Sequence, residues 1–254
     1  NILLAHADTA LASALQQGTN SYFISSQGGD AGSSTAWKAL INKAMKNSTI
    51  DLLSQPVITT DDRPLYGEVL IRIKDEKGGQ VAPGSFAAMA DRLELNCDLD
   101  KHLIERITAI LEQDSSGQNL AINLSNRSLH DGEFLTWLES HLQAHASICP
   151  SLLFEISEHA LLHDLQQAHA LIALIHQYRG MVVMQHFGSK LSAFKTLRTL
   201  KPDYIKLDGT HIRNIADNKG NQHFLQTIVD IAHGLEIGVI AEHVESNSDS
   251  DTLK

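Results

Sequence analysis

Polar side chains that could bind metal or phosphate recur at the ends of short apolar runs along this chain. One run carries Glu68 and Arg72, and another closes on Asn123. The same pattern recurs at Gln55, Glu155, Glu158, Gln185, His186, Lys206, Asp208, Glu242 and Glu245. Carboxylate and amide oxygens suit hard divalent cations, and arginine or lysine pairs with phosphate. The residue types therefore predict a combined metal and phosphate site.

These residues share a site only if the fold brings the ends of their runs together. We predict strands at 50–58, 66–73, 120–124, 152–156, 180–184, 204–207 and 238–241. We predict helices at 36–46, 99–113, 131–145, 161–178 and 221–234, where apolar residues recur at helical spacing. Strands that alternate with helices indicate a parallel sheet, and near-continuous apolar strands suit a sheet covered on both faces.

The number of strands and helices favours a (β/α) barrel over an open sheet. The length of 254 residues matches one such barrel of about 250 residues. Binding and catalytic groups of these barrels lie at the carboxyl ends of the strands, which is where the polar residues fall. Grouped charges on a barrel rim are costly unless they are paired or coordinate something. We therefore expect one site rather than scattered solvated side chains.

The composition is that of a globular domain with negative charge. Hydrophobic residues make up 43% of the chain, and the formal net charge is -10. Broad binding to DNA or RNA needs a clustered positive surface, so we expect no direct binding of a nucleic-acid polymer. No apolar run reaches the ~18 residues that a membrane span requires. Cys97 and Cys149 have no zinc spacing and indicate a reducing compartment.

As an ordered set, these segments resemble the EAL domain family of cyclic di-GMP phosphodiesterases. Residues 66–72, Tyr-Gly-Glu-Val-Leu-Ile-Arg, resemble the motif that names the family, with Val69 in place of alanine. Residues 155–158, Glu-Ile-Ser-Glu, resemble its Glu-x-x-Glu motif. Further matches lie at 55–57, 83–86, 99–100, 123–125, 187–188, 203–208 and 241–245. The resemblance covers about residues 36–248 and implies the family's barrel.

The resemblance also implies roles for individual residues. Active members of the family hydrolyse one phosphodiester bond of cyclic di-GMP with two divalent metals, Mg or Mn. The implied metal ligands are Glu68, Asn123, Glu155 and Glu242. Lys206 and Glu242 hold the catalytic positions, while Asp208 and Glu158 support the site. The residues implied to bind the ligand are Gln55, Glu68, Leu70, Arg72, Asn123, Asp208 and Glu245.

One loop departs from the family pattern. Gln185 and His186 stand where the family has two aspartates that hold the metals. Glutamine offers a neutral oxygen, and the imidazole nitrogen of histidine is a poor partner for Mg. The site thereby loses two negative charges although it would have to hold four positive ones. The sequence therefore predicts a degenerate catalytic site, in which Lys190 either neutralises ligand phosphate or points to solvent.

Three functions remain open from the sequence. The first is a cyclic di-GMP receptor with little or no hydrolysis, similar to the LapD-type inner-membrane receptors that combine degenerate GGDEF and EAL domains. The second is an active or weak phosphodiesterase that depends on Mg or Mn, since most implied metal ligands are retained. The third is a nucleotide-free interaction module similar to the CsrD-type regulators of RNA turnover. We favour the receptor.

The chain also divides into two predicted domains. Glycine and serine residues cluster at 28–34 and predict a linker. Residues 1–31, with a predicted helix at 1–17 and strand at 21–24, resemble the C-terminal tail of a GGDEF domain. We assign residues 32–254 to the EAL domain.

The family's closing strand follows the segment at Glu245, and this chain ends before it. We therefore expect a (β/α)8-type TIM-like barrel whose last strand is absent from this chain, or an edge that another chain completes. The expected partners are cyclic di-GMP and the protein's own GGDEF domain, with a homodimer as an alternative. The resemblance implies a cytoplasmic domain whose parent protein could be anchored in the bacterial inner membrane.

Overall fold

A computed structural model of the chain describes residues 34–47, 49–74, 78–114, 116–188 and 193–254, without the side chains of 193–195. The predicted GGDEF tail at 1–31 and Lys190 lie outside the described residues, so their assignments stay predictions. The chain divides into two compact units. The first takes in the described parts of Asn1–Gln55 and Val69–Leu103, and the second comprises Pro56–Glu68 and Ile104–Lys254.

Helices and short strands build the first unit. Its elements are α1 (Ser34–Lys46), the first part of β1 (Asp51–Ile58), the second part of β2 (Pro64–Lys74), β3 (Gln80–Val81), α2 (Pro83–Arg92) and the start of α3 (Asn96–Gln113). Proline in the first turn of α2 suits the helix start, because that position needs no amide donor. Ile41 of α1, Ile73 of β2 and Phe86 of α2 lie in one apolar core.

A parallel sheet forms the centre of the second unit. After the first strands, its elements are β4 (Leu120–Asn123), α4 (Asn126–Leu129), α5 (Gly132–Ala144), β5 (Leu152–Ser157), α6 (Glu158–His163), α7 (Leu165–Gln177), β6 (Met181–Phe187), α8 (Ala193–Leu200), β7 (Tyr204–Leu207), α9 (Gly209–Ile212), α10 (Lys219–Gly234), β8 (Gly238–Ala241) and α11 (Asn247–Leu253). Strands β2, β4, β5, β6, β7 and β8 pair in parallel, each with the next. The predicted parallel sheet is therefore confirmed.

Two connections differ from the expected alternation. A tight turn joins β1 to β2, and the backbone amide of Thr59 donates to the Arg63 carbonyl across it. The predicted helix at 161–178 is two helices, α6 and α7, which meet at Asp164. The Asp164 carboxylate accepts hydrogen bonds from the backbone amides of Gln166 and Gln167. Asp164 therefore caps a new helix rather than continuing the preceding one.

No helix in the described part of the chain is long and apolar enough to cross a membrane.

A hydrogen bond between His176 and Asp203 ties the end of α7 to the start of β7. His176 Nε2 lies 2.9 Å from Asp203 Oδ2, and this hydrogen bond raises the pKa of His176. The unfolded pKa of histidine is about 6.5, and a group with a higher pKa in the folded state stabilises the fold. This stabilisation is fully present below the unfolded pKa and is lost as the pH rises through the folded pKa. We therefore expect His176→Gln to lower the free energy of unfolding more at about pH 5.5 than at about pH 8.5.

Urea unfolding of the parent and of H176Q at both pH values checks this expectation. The D203N variant is the matched control, because asparagine still accepts the hydrogen bond from the Val182 amide but carries no charge. In the D203N background, H176Q should show little dependence on pH. A pH-independent loss in the parent background would contradict the assignment.

Candidate functional site

The candidate site is built from side chains that share one face of the parallel sheet. An apolar layer is formed by Tyr66, Ala121, Leu153, Val183 and Ile240, which come from β2, β4, β5, β6 and β8. Successive side chains on a strand alternate between faces, so the residue two positions on points the same way. The residues two positions after the apolar layer are Glu68, Asn123, Glu155, Gln185 and Glu242. Lys206 of β7 lies among them. We call these six residues the polar layer.

Lys206 is the centre of the polar layer. Its side chain is only 2% exposed, and its Nζ lies 2.8 Å from Glu155 Oε2 and 2.9 Å from Glu68 Oε2. Glu242 Oε1 is 3.7 Å from the same ammonium. Burial alone would lower the pKa of Lys206, but the charges of Glu155 and Glu68 and their hydrogen bonds outweigh burial and raise it. Lys206 therefore stays charged at neutral pH.

Glu155 is the most buried acid of the polar layer and uses both of its oxygens. Its residue is 1% exposed. Tyr66 donates a hydrogen bond of 2.8 Å to Glu155 Oε1. Burial, followed by the charge of Glu155, raises the pKa of Tyr66 well above its usual range, so the hydroxyl stays a donor. Sequence reasoning missed Tyr66, although its place two residues before Glu68 on one strand face was a usable signal.

Two amide side chains close the hydrogen-bond network. Gln185 Nε2 donates to Asn123 Oδ1 at 2.6 Å and also to Glu155 Oε2. Asn123 Nδ2 donates in turn to Glu68 Oε1 at 3.3 Å. Because the Glu155 carboxylate can only accept, the amide nitrogen of Gln185 must face it. Gln185 therefore acts as a donor at a position where the family pattern places an acid.

A β-bulge near the end of β6 changes the direction of side chains at the site. The pairing of β6 with β7 shifts register between Met184 and Phe187, and His186 has a left-handed backbone with φ of 55°. In a regular strand Gln185 and His186 would point to opposite faces, whereas a bulge redirects a side chain. His186 Nδ1 lies 3.7 Å from Asp208 Oδ2 and 4.0 Å from Glu242 Oε2.

The two acids beside His186 differ in their protonation equilibria. Burial would raise the pKa of Asp208, but hydrogen bonds from Thr210 and the nearby imidazoles of His186 and His211 lower it overall. Asp208 also caps α9, accepting from the Thr210 amide at 2.9 Å. Burial raises the pKa of Glu242, against the opposing charges of Lys206 and His186. Asp208 is therefore the more acidic of the two.

The remaining predicted residues occupy several elements. Glu158 is buried at the first position of α6, and Glu245 is exposed on the segment between β8 and α11. Gln55, Leu70 and Arg72 belong to the first unit, where Gln55 is exposed and Leu70 is half-buried. Arg72 Nη1 donates to the Ile71 carbonyl at 2.8 Å.

The polar layer does not fit two hard divalent cations. Such cations need open carboxylate oxygens, yet the oxygens of Glu155 accept from Tyr66, Lys206 and Gln185. The Asn123 oxygen likewise accepts from Gln185. Among the residues that the structure describes, no three or more His, Cys, Asp or Glu side chains are grouped so that they could hold a metal.

Comparison with known sequences identifies relatives of this chain. The EAL domain family model matches residues 39–254. The cyclic di-GMP phosphodiesterase PdeB of Shewanella oneidensis is 26% identical over 261 residues, covering 99% of this chain and 30% of that protein. The cyclic di-GMP phosphodiesterase PdeR of Escherichia coli is 28% identical over 250 residues, covering 96% and 38%. The chain thus spans about a third of the length of these curated relatives.

Solved structures show the same fold. The S helix-GGDEF-EAL segment of LapD from Vibrio cholerae, bound to c-di-GMP, has a TM-score of 0.90 and 25% identity, covering 99% of this chain and 62% of that one. The EAL domain of FimX from Pseudomonas aeruginosa, also bound to c-di-GMP, has a TM-score of 0.78 and 29% identity, covering 85% and 89%. These similarities confirm the predicted α/β fold of the EAL barrel type.

Proposed function

The chain belongs to the EAL domain family, and we propose that it is a degenerate member that acts as a cyclic di-GMP receptor with little or no hydrolysis. The observation that carries this proposal is the hydrogen-bonded polar layer, in which Gln185 joins Asn123 to Glu155. Support for the ligand comes from the similar LapD and FimX structures, which contain c-di-GMP.

The polar layer lacks the pair of aspartates with which active members of the family complete the two-metal site. Water attacks an anionic phosphodiester slowly, and the two metals of active members supply hydroxide and offset the charge of the transition state. In this chain Lys206 supplies one positive charge, which Glu68 and Glu155 already neutralise. Gln185 adds no negative charge that would attract a cation, and its amide nitrogen faces Asn123 and Glu155. We therefore expect the hydrogen bonds of the polar layer to persist when a ligand binds.

Binding of the dinucleotide uses residues that need no metal. Arg72 can pair with a ligand phosphate through two parallel hydrogen bonds. Gln55, Leu70, Asp208 and Glu245 complete the proposed contact set. The segment 1–31 is proposed to join this EAL domain, residues 32–254, to a GGDEF domain in the parent protein.

Two measurements test the receptor proposal. Calorimetric titration with cyclic di-GMP in the presence of EDTA should give saturable binding, because no contact depends on metal. Incubation with Mg or Mn followed by chromatography should give no linear dinucleotide at catalytic turnover. Turnover would instead support a phosphodiesterase, and absence of binding heat together with an unchanged melting temperature would support a nucleotide-free interaction module.

Arg72 provides the sharpest variant for the binding arm. We expect Arg72→Ala to weaken the affinity for cyclic di-GMP about 10- to 150-fold, since a hydrogen bond to a charged group contributes ~1.5–3 kcal/mol. R72K should recover only part of this loss, because lysine cannot form the bidentate pair. The control R198A removes an exposed arginine from α8 and should bind like the parent. Parental affinity in R72A would contradict the assigned contact.

A further inference from the structure

Left-handed backbone at residues other than glycine marks an unusual pair of histidines. Eight such residues occur in the part of the chain that the structure describes. Five of them follow the last turn of a helix, namely Glu94, Arg179, Lys201, Asn214 and Glu236. Asp62 lies in the turn between β1 and β2. Helix ends and tight turns commonly require this conformation, so these six have an ordinary structural cause.

The remaining two residues lie at neither a helix end nor a tight turn. His186, with φ of 55°, lies in the bulged end of β6, and His243, with φ of 56°, comes shortly after the end of β8. A side chain with a Cβ atom is strained in this conformation, and strained residues cluster at binding and catalytic sites. Both are histidines, and they flank the end of β7, which lies between β6 and β8 in the sheet.

Both imidazoles lie close to Glu242. His186 Nδ1 is within 4.0 Å of Asp208 and Glu242, and its side chain is 56% exposed. His243 directly follows Glu242 and is also exposed. The His243 ring lies against Gly209, where an added Cβ would be 2.4 Å from Nδ1. Glycine at 209 is therefore what lets the His243 ring occupy this place beside Asp208.

The charge of the site makes hydrogen-bond donors useful here. The polar layer and Asp208 contribute four carboxylates, with Lys206 as the one ammonium among them. An anionic phosphodiester that approaches these acids is repelled unless donors face it. Imidazole N–H groups donate to phosphate oxygens without requiring a metal.

We propose that His186 and His243 are ligand-contacting residues that hydrogen-bond the phosphodiester groups of the anionic dinucleotide. This inference rests on the proposed receptor function and assigns contact with the ligand phosphates to these two imidazoles. It also accounts for the retained strain, because glycine at either position would relax the backbone but would remove the donor.

Glycine variants separate this role from a structural one. Calorimetry with cyclic di-GMP should show about tenfold weaker binding for H186G and for H243G, with melting temperatures equal to or above that of the parent. R179G and E236G are matched controls, because they relax the same backbone conformation at helix ends away from the polar layer. They should bind with parental affinity. Parental affinity in either histidine variant would overturn the proposal.

Ring nitrogen resonances give a readout that a structural role would not move. The 15N signals missing from the spectra of H186G and H243G identify the two imidazoles in the parent. Addition of cyclic di-GMP to the parent should shift the ring nitrogen signals of both His186 and His243. Signals that stay in place would overturn the proposal. A parent that binds no cyclic di-GMP would remove the receptor function as well, whereas a parent that binds with unmoved imidazoles removes this inference alone.

Discussion

Replacing Lys206 with methionine is expected to lower the free energy of unfolding by about 3–5 kcal/mol. The ammonium is the counter-ion of Glu155, which is 1% exposed, and of Glu68, and both lie within 2.9 Å of it. Methionine fills a similar volume but leaves the buried carboxylate without a compensating charge. Urea unfolding of K206M and of the parent at neutral pH measures the difference directly.

A second substitution shows whether the loss has this electrostatic origin. In K206M/E155Q the buried acid is replaced by a neutral amide, so much of the lost stability should return. The exposed Lys219 of α10 supplies the control, and K219M should unfold within about 0.5 kcal/mol of the parent. If K206M were as stable as K219M, Lys206 would not be the charge that holds the polar layer together.

Placing two acids near the end of β6 should give the site affinity for metal. We expect Q185D/H186D to bind Mn2+ about 100-fold more tightly than the parent, because it adds two anionic oxygen ligands and removes the amide donor from Glu155. Loss of an outer-shell partner alone typically costs 10- to 100-fold in metal affinity, and a direct ligand should matter at least as much. Calorimetric titration with Mn2+ measures this change.

The matched control places a neutral amide at both positions. Q185N/H186N preserves polarity without adding charge and should bind Mn2+ no better than the parent. Without metal, Q185D/H186D should also melt at a lower temperature, because an acid at 185 would face Glu155 in place of the amide that now donates to it. Added Mn2+ should reverse that loss. Unchanged Mn2+ affinity would mean that the residues at positions 185 and 186 do not limit metal binding.

These expectations share one physical basis. Glu68 and Glu155 of the polar layer accept hydrogen bonds from donors of the chain itself, so these two acids need no cation. Gln185 is the side chain that decides this state, since its amide bonds both Asn123 and Glu155. A single exchange of acid for amide thus converts mutually repelling ligands into a network of hydrogen bonds.

The sequence by itself determined seven of the eight strands among the described residues, the parallel sheet and the family. These features follow from the spacing of apolar residues and from motif order, which are properties of neighbouring positions. The positions of Glu68, Asn123, Glu155 and Lys206 also followed, because strand ends in a parallel sheet meet at one edge. The split at Asp164 and the turn after β1 were missed, because each depends on a local cap or turn within an apolar pattern.

Tertiary structure alone decided how the polar side chains satisfy one another. The Tyr66 hydroxyl meets Glu155 across 89 residues of sequence, and Gln185 meets Asn123 across 62. The bulge that turns His186 toward Asp208 arises from the pairing of β6 with β7. Hydrogen bonds of this kind depend on distance and direction between groups on separate strands. Residue types and spacing do not contain that information until the strands are packed.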